Sequence, residues 1–425
     1  MLGMYKKLIA RATPVISRVL DRRLAAGKED PRRIAERQGV PSQPRPLNDI
    51  VWIHAASVGE AQSALILIDH LASMTSATFL MTTGTRTSAD LMSRRLPPQA
   101  IHQYLPADHP AWVSRFLDHW RPKLVLWMES ELWPNMLMEI QSRQIPALLV
   151  NARLSNKSYR YWRCLGSSAR TILNTFKIIL AQTDIDAKRF KKLGSRHVVV
   201  TDNLKYSAAP LPVNEQDILI TSLNRPLWVY ASTHQGEESL ACRIHARLKK
   251  HIPNLLTIII PRHPERRDHV SAEILSYNLT FTQRGDNHAL PRPGDDIYLV
   301  DTLGELGLFY RISPIAMIGR SFSDDGGGGH NPIEAAQLNC AVLTGPHVKF
   351  QQEIFNDMLA VHACEQVTSE NDLFNTLLSL LTDDHERQKL QDAARRFAEN
   401  KSGVIHRVMA EIKPFILEHG ANDAV

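Results

Sequence analysis

Acids, hydroxyls and cations collect where short apolar runs of this chain end. The run Val51 to Ala55 leads into the string HAASVGE, in which Gly59 permits a tight turn and Glu60 should open a helix. A carboxylate held there suits a general base within hydrogen-bond reach of a hydroxyl. It equally suits a first-turn Glu that favours the helix dipole, an effect of up to ~1 kcal/mol. After the next run, Thr82-Thr83-Gly84-Thr85-Arg86-Thr87-Ser88 sets hydroxyls around one guanidinium. Those groups are good phosphate partners, or they form an ordinary Ser/Thr cap beside a solvated Arg. Met128-Glu129-Ser130-Glu131 places acids on alternate residues, which point opposite ways if the strand persists. Lys205, in Asn203-Leu204-Lys205, either offsets charge developing on a donor or is a solvated lysine.

The later half repeats the habit. Pro261-Arg262-His263-Pro264-Glu265-Arg266 and Leu303-Gly304-Glu305 each follow an apolar run, as does Ser232-Thr233-His234-Gln235-Gly236-Glu237-Glu238. Arg262 is a candidate anion clamp, and Gly304 and Glu305 are candidates for backbone and hydroxyl recognition. The most specific segment runs from Gly326 to Gly329 and on through His330, Asn331, Pro332, Ile333 and Glu334. Glycines let backbone approach a ligand, Pro332 suits a first helical turn, and a helix start offers N–H groups to phosphate. Glu334 suits a sugar or ribose diol. The competing reading is a flexible loop before a well-capped helix.

These loops need rigid elements behind them. Strands are expected at Val51 to Ala55, Ala77 to Met81, Leu124 to Trp127, Ala147 to Val150, Lys177 to Ala181 and His197 to Val200. A second set is expected at Leu227 to Ala231, Leu256 to Ile260, Ile297 to Val300, Ile315 to Gly319 and Ala341 to Thr344. Helical patterns alternate with them, the signature of parallel βα units. Ser207 to Arg225 reads as a linker. The expected fold is α/β, two Rossmann-like doubly wound domains facing each other across a cleft where ligands of such sheets bind. The expected division is a segment 1–40, a first domain 41–210 and a second domain 211–425.

With 425 residues, 44% of them hydrophobic and 22% charged, the chain exceeds one small module and is not disordered throughout. Neither GxGxxG after a first strand nor GxxxxGK[ST] occurs, which disfavours dinucleotide and P-loop chemistry. Four dispersed cysteines without a CxxC pair argue against zinc and a disulfide framework, so a reducing compartment is the simplest reading. Met1 to Val40 holds ten Lys or Arg against four acids, so the formal net charge of +6 sits there. Nucleic acid is not an expected partner, because such binders spread positive charge through a working groove. Leu2, Tyr5, Leu8, Ile9, Ala12, Ile16, Val19 and Leu20 form an apolar stripe at helical spacing, with Pro14 as a kink. The two readings are an in-plane helix on an anionic membrane and a surface helix packed on its own domain. The run is too short to span a bilayer, and Lys6, Lys7 and Arg11 leave no room for a secretion signal.

Taken in order, HAASVGE, TTGTRTSAD, ESELWPN, NARLS followed by Tyr159-Arg160-Tyr161-Trp162, NLK, ASTHQGEE, PRHPER, GEL and GGHNPIEAA resemble the 3-deoxy-D-manno-octulosonic acid (Kdo) transferases of Gram-negative bacteria. The resemblance covers nearly the whole chain. It implies a GT-B glycosyltransferase fold, a CMP-Kdo donor, and the lipid A precursor lipid IVA as acceptor at the cytoplasmic face of the inner membrane. It implies Glu60 as the base and Glu129 and Lys205 as transition-state support. Glu129 is preferred to Glu131 because the first acid of that motif matches the family role. CMP would be held by Pro261 and Arg262, by Leu303, Gly304 and Glu305, and by Asn331, Pro332, Ile333 and Glu334. Thr83, Gly84 and Arg86 are assigned to the acceptor.

The chemistry expected is inverting transfer with neither metal nor other cofactor, because one Arg and helix N–H groups can meet the charge of a single departing phosphate. Asp324-Asp325 as a magnesium site is the weaker alternative. Family members commonly begin with a more hydrophobic anchor, whereas here only the short basic helix is present. Arg320 stands where small residues are usual. A nucleotide-sugar epimerase of the same architecture and a non-catalytic peripheral lipid-binding protein are the rival readings.

Overall fold

Seven parallel strands form the frame of the first unit: β1 (Ile50–Ala55), β2 (Thr78–Thr83), β3 (Ala100–Tyr104), β4 (Leu124–Met128), β5 (Ala147–Ala152), β6 (Phe176–Ala181) and β7 (Val198–Val200). They lie in the order β3-β2-β1-β4-β5-β6-β7. The computed structural model describes residues 1–207, 210–213, 217–218, 223–285, 287–323, 328–349 and 351–419. Asp324, Asp325, Gly326 and Gly327 lie outside the described residues, as do parts of the linker. The second unit carries β8 (Leu227–Thr233), β9 (Leu256–Pro261), β10 (Phe281–Gln283), β11 (Ile297–Leu299), β12 (Ile315–Ile318), β13 (Ala341–Thr344) and β14 (Glu365–Gln366), ordered β10-β11-β9-β8-β12-β13-β14. All pairings are parallel, with β1 set in register so that His54 faces Thr82 of β2 and Trp127 of β4.

The expected α/β class and doubly wound sheets are present. Central strands are buried on both faces, which is why they read as unbroken apolar runs rather than alternating ones. In the first core Trp52 packs on Phe116 at 4.9 Å and edge-on to Trp127 at 5.7 Å. Such aromatic pairs contribute ~0.5–1.5 kcal/mol beyond their buried area. Strands β3, β10 and β14 were not expected from sequence. Each lies at a sheet edge and is partly exposed, so Ala-Ile-His-Gln-Tyr, for instance, lacks the apolar run that marks a central strand.

The expected segment 1–40 folds as part of the first unit. It forms α1 (Leu2–Arg11) and α2 (Thr13–Ala25), broken at Ala12 with Pro14 in the first turn of α2, where its missing N–H costs nothing. Tyr5 donates to Asp108 at 3.1 Å, Thr13 meets His109 at 2.9 Å, and Leu20 is buried. The basic character of this stretch is partly spent inside the protein. Arg23 and Arg37 both bind the buried Glu29, and Arg33 binds Glu36.

The expected assignment of everything after 211 to the second domain is corrected by the final helix, Val404–His419. It belongs to the first unit, packing on β4 and on the 3-10 turn Leu204–Ser207. Arg407 also pairs with Asp202 at 2.9 Å. Val404, Val408, Ile412 and Ile416 are buried at four-residue spacing; that stripe announces an apolar face without saying which core receives it.

Candidate active site

Strand order in the first sheet reverses between β1 and β4, and ligands of open α/β sheets bind outside the carboxyl ends of strands at such a point. β1 leads to Glu60 and β4 leads to Glu129. The helix α3 (Val58–Ala72) is capped by Ser57, whose Oγ accepts the Glu60 N–H at 3.3 Å. Glu60 replies through Oε2, which accepts from the Ala56 N–H at 2.8 Å, and Oε1, which accepts from Ser57 Oγ at 3.0 Å. This is a variant of the capping box, in which the carboxylate reaches the N–H of Ala56, one residue before the N-cap, and is thereby fixed in direction. Burial, followed by the negative charge of Glu129, pushes Glu60 up to about 7 against the opposing Ala56 and Ser57 bonds. His54 in the same string is fully buried beside Trp127 and Thr82, and burial pushes it down to about 3, which keeps the ring neutral.

Glu129 sits at φ 54°, a left-handed conformation unusual for a non-glycine residue and one that costs of order 1–3 kcal/mol. Its N–H remains bound to Val150 O at 2.9 Å. The acids therefore do not diverge by strand alternation, because β4 ends at Met128. The turn at Glu129 sends its carboxylate to Lys205 Nζ, 3.9 Å away, while Glu131 lines a separate cavity. Lys205 is set by Asn203 Oδ1, which accepts its N–H at 3.0 Å, and by the buried Asn151, whose Oδ1 accepts the Leu204 N–H at 2.9 Å. The ammonium lies over Gly59, where a Cβ would stand 3.3 Å from Nζ. Glu60, Glu129 and Lys205 are thus gathered at one point of one unit.

The separate cavity, of about 300 Å³, is lined by Leu20, Arg23, His54, Gly84, Asp108 and Glu131 among others, with Ala56, the donor to Glu60, also on its wall. Of the three residues assigned to an acceptor, Gly84 lines it. Thr83 is buried and turned to His102 Nε2 at 2.9 Å, and Arg86 lies on the surface at 3.4 Å from Gly27 O. A Ser/Thr cap is present in this loop, with Thr85 Oγ1 accepting the Ser88 N–H. Gly84 has no room for a side chain, since its Cβ would stand 2.8 Å from Ala56 O. Gly84→Ala is therefore expected to displace Ala56, the donor to Glu60. The cost, about 1–3 kcal/mol, should show as an earlier urea midpoint together with lower activity.

In the second unit the candidate donor residues fall into three groups. Pro261 ends β9, and Arg262 is exposed with its N–H on Thr233 O at 3.0 Å. Leu303 is exposed, and Gly304, at φ 85°, lines with Glu305 a cavity of about 260 Å³ that Pro212, Val213 and Asp217 also border. The Glu305 carboxylate is already engaged. Burial opposes its charge, but Arg284 at 2.7 Å and the Thr302 hydroxyl outweigh that and hold its pKa below the usual range. Asn331 Oδ1 accepts the Ile333 N–H at 3.1 Å, Pro332 is the N-cap of the short helix Ile333–Gln337, and Glu334 lies in its first turn.

Sequence reasoning noted the loop after β8 but missed its central residue. Glu237 is buried and accepts four backbone N–H groups: His234 at 2.9 Å, Arg320 at 2.7 Å, Ser321 at 2.9 Å and Phe322 at 3.0 Å. It ties the β8 loop to the β12 loop at the point where the second sheet's order reverses. Ser232, near the end of β8, and Arg320, in the loop after β12, adopt φ near 60°, as Glu129 does in the first unit. Adjacent acids after a strand, Glu237-Glu238, are the sequence signal; Glu238 pairs with Arg266 at 2.8 Å.

Residues 32–208 match the family model described as 3-Deoxy-D-manno-octulosonic-acid transferase (kdotransferase). The 3-deoxy-D-manno-octulosonic acid transferase of Rickettsia bellii is 34% identical over 98% of this chain and 100% of its own length. That of Rickettsia typhi is 36% identical over 86% of this chain and 80% of its own. Among solved structures, UDP-GlcNAc 2-epimerase from Neisseria meningitidis bound to UDP-GlcNAc matches with a TM-score of 0.53 and 15% identity, covering 85% of this chain and 100% of that one; at that identity the likeness concerns fold alone. The identity to Rickettsia enzymes, sustained across both units, places this chain in the 3-deoxy-D-manno-octulosonic acid transferase family of glycosyltransferases.

Proposed function

We propose that the protein transfers Kdo from CMP-Kdo to the lipid A precursor lipid IVA, with inversion and without a metal, releasing CMP. The observation that carries this reading is Glu60: a buried carboxyl at the reversal point of the first sheet, raised to about 7, with Glu129 and Lys205 beside it. A base with that pKa is half ionised near neutral pH, where proton transfer from a sugar hydroxyl is most efficient. Ser57 and Ala56 hold the carboxylate as the hydroxyl attacks the anomeric carbon. Lys205, steadied by Asn151 and Asn203, offsets negative charge developing on the departing group. In the second unit Arg262 and the backbone N–H groups around Asn331 receive the phosphate of CMP. Purified protein given CMP-Kdo and lipid IVA should yield CMP and a glycosylated lipid by mass spectrometry. Release of free sugar without a lipid product would favour the epimerase-like rival.

The amino-terminal helices supply the membrane contact in this reading. No helix among the described residues is long and apolar enough to cross a membrane. The expected stripe divides: Leu2, Tyr5, Ile9, Ile16 and Leu20 are partly or fully buried, while Leu8 and Val19, like Met1, Met4 and Val15, are exposed. Burying such a side chain yields ~1.5–3 kcal/mol. The double variant Leu8→Glu with Val15→Glu should therefore lower partition into anionic vesicles by at least tenfold in co-sedimentation, with an unchanged circular dichroism spectrum. Undiminished partition would move the attachment elsewhere.

A further inference from the structure

A second group of titratable side chains lies in the second unit and takes no part in proton transfer by Glu60. His234 Nε2 and His330 Nε2 stand 3.2 Å apart, with their rings stacked at 5.4 Å between centroids. His263 meets His234 edge-on at 5.7 Å. The three rings come from the loops after β8, β9 and β12, and β8 and β12 flank the reversal of strand order. Two imidazole nitrogens at that separation hold one proton between them, and a second proton makes the pair a monocation.

The surroundings of the pair are cationic. Burial, then the charges of His234, Arg262, Arg320 and His263, push His330 down to about 3. Of the carboxylates in the loops after β8 and β9, two are bonded to other groups and one faces His263. Glu237 binds backbone N–H groups of the same loops, Glu238 is held by Arg266 and Thr233, and Glu265 lies at 3.2 Å from His263. A proton on the pair is thus opposed by its neighbours until an anion arrives, and an oxyanion set among these groups reverses that opposition.

We infer that His234 and His330, with Arg262 and Arg320, form an oxyanion subsite that takes up one proton when the phosphate or the sugar carboxylate of the donor binds. This rests on the CMP-Kdo reading and adds to it a proton-linked anion clamp distinct from the base. The sign follows from linkage. In the free protein burial and its cationic neighbours keep His330 neutral, and in the complex an oxyanion raises its proton affinity. Affinity is therefore full below the free-state value, falls by up to tenfold per pH unit between that and the raised value, and is level above it.

Two arms separate the two sources of charge. Calorimetric titration of CMP at pH 7.5, above the phosphate's own second pKa of about 6, in buffers of different ionisation enthalpy counts protons for the phosphate alone. The KM for CMP-Kdo measured from pH 6 to 9 reports on both anions together. Proton uptake with CMP assigns the phosphate. Proton-neutral CMP binding with a KM for donor that climbs with pH assigns the carboxylate. Either result supports the subsite, and in either case His330→Asn and His234→Asn should flatten the pH dependence and weaken the responsive step about tenfold, with thermal transitions showing that the variants fold. CMP binding without protons and a flat donor KM would overturn the subsite alone, as would pH dependence that survives in both variants. Failure of the parent protein to bind CMP would remove the donor reading and the subsite together.

Discussion

Glu60→Gln is expected to lower kcat by ~10²–10⁴-fold, the usual contribution of a positioned general base. The variant should fold as well as the parent. The amide oxygen can still accept the Ala56 N–H, and the buried negative charge that burial and Glu129 disfavour is gone. A carboxyl whose folded pKa is raised binds its proton more tightly in the native state, so stability falls as pH rises from the ordinary 4.5 to about 7 and the full cost is present at pH 8; removing it should leave the melting temperature at pH 8 equal or higher. In the parent, kcat/KM should rise with pH through about 7 as Glu60 loses its proton. Glu129→Gln removes one of the three influences that raise Glu60, the others being burial and Glu131, and should move that limb to lower pH. It also releases Lys205 from its 3.9 Å pairing beside Gly59, which acts in the same direction. A limb that stays in place in Glu129→Gln would show that the two acids do not interact. Full activity in Glu60→Gln would remove the base from the mechanism.

The largest loss of stability is expected for Glu237→Ala. One carboxylate accepts four backbone N–H groups from two loops, and truncation leaves all four donors without their acceptor in a largely buried place. An orphaned buried donor costs ~1–3 kcal/mol, so the sum is several kcal/mol even after partial repair by water. Urea unfolding followed through Trp228, which lies in β8 of the same unit, should show the transition shifted far to lower denaturant. Glu237→Gln should fall between, because its one oxygen keeps some of the four bonds and its amide nitrogen accepts none. Equal behaviour of the Ala and Gln variants would mean that side-chain volume, rather than these bonds, sets the loops.

Apolar continuity made the central strands readable. Val51 to Ala55 and Leu124 to Trp127 are buried on both sides, and their composition says so. The edge strands β3, β10 and β14 had no such mark, because many of their side chains meet water. Glu60, Glu129 and Lys205 were legible as polar residues after strands, but their relation depended on features without a composition: the left-handed turn at Glu129 and the Asn151 bond that fixes Leu204. Glu305 shows the converse. Its motif read as a ligand contact, and nothing in it announced the bond to Arg284, twenty-one residues earlier. Pairings set by tertiary packing, such as Arg284 with Glu305 or Glu237 with Ser321, leave only isolated charges in the sequence, and nothing local says which will meet.

The return of the helix Val404–His419 to the first unit bears on how the protein is made. Lys205 and its turn are synthesised roughly halfway through translation, yet the surface that packs beneath them leaves the ribosome only after the entire second unit has been threaded out. The first unit therefore waits, incomplete around its own base, while the second can fold as soon as it emerges. A nascent chain stalled before Val404 should protect the second unit from protease while leaving the first susceptible.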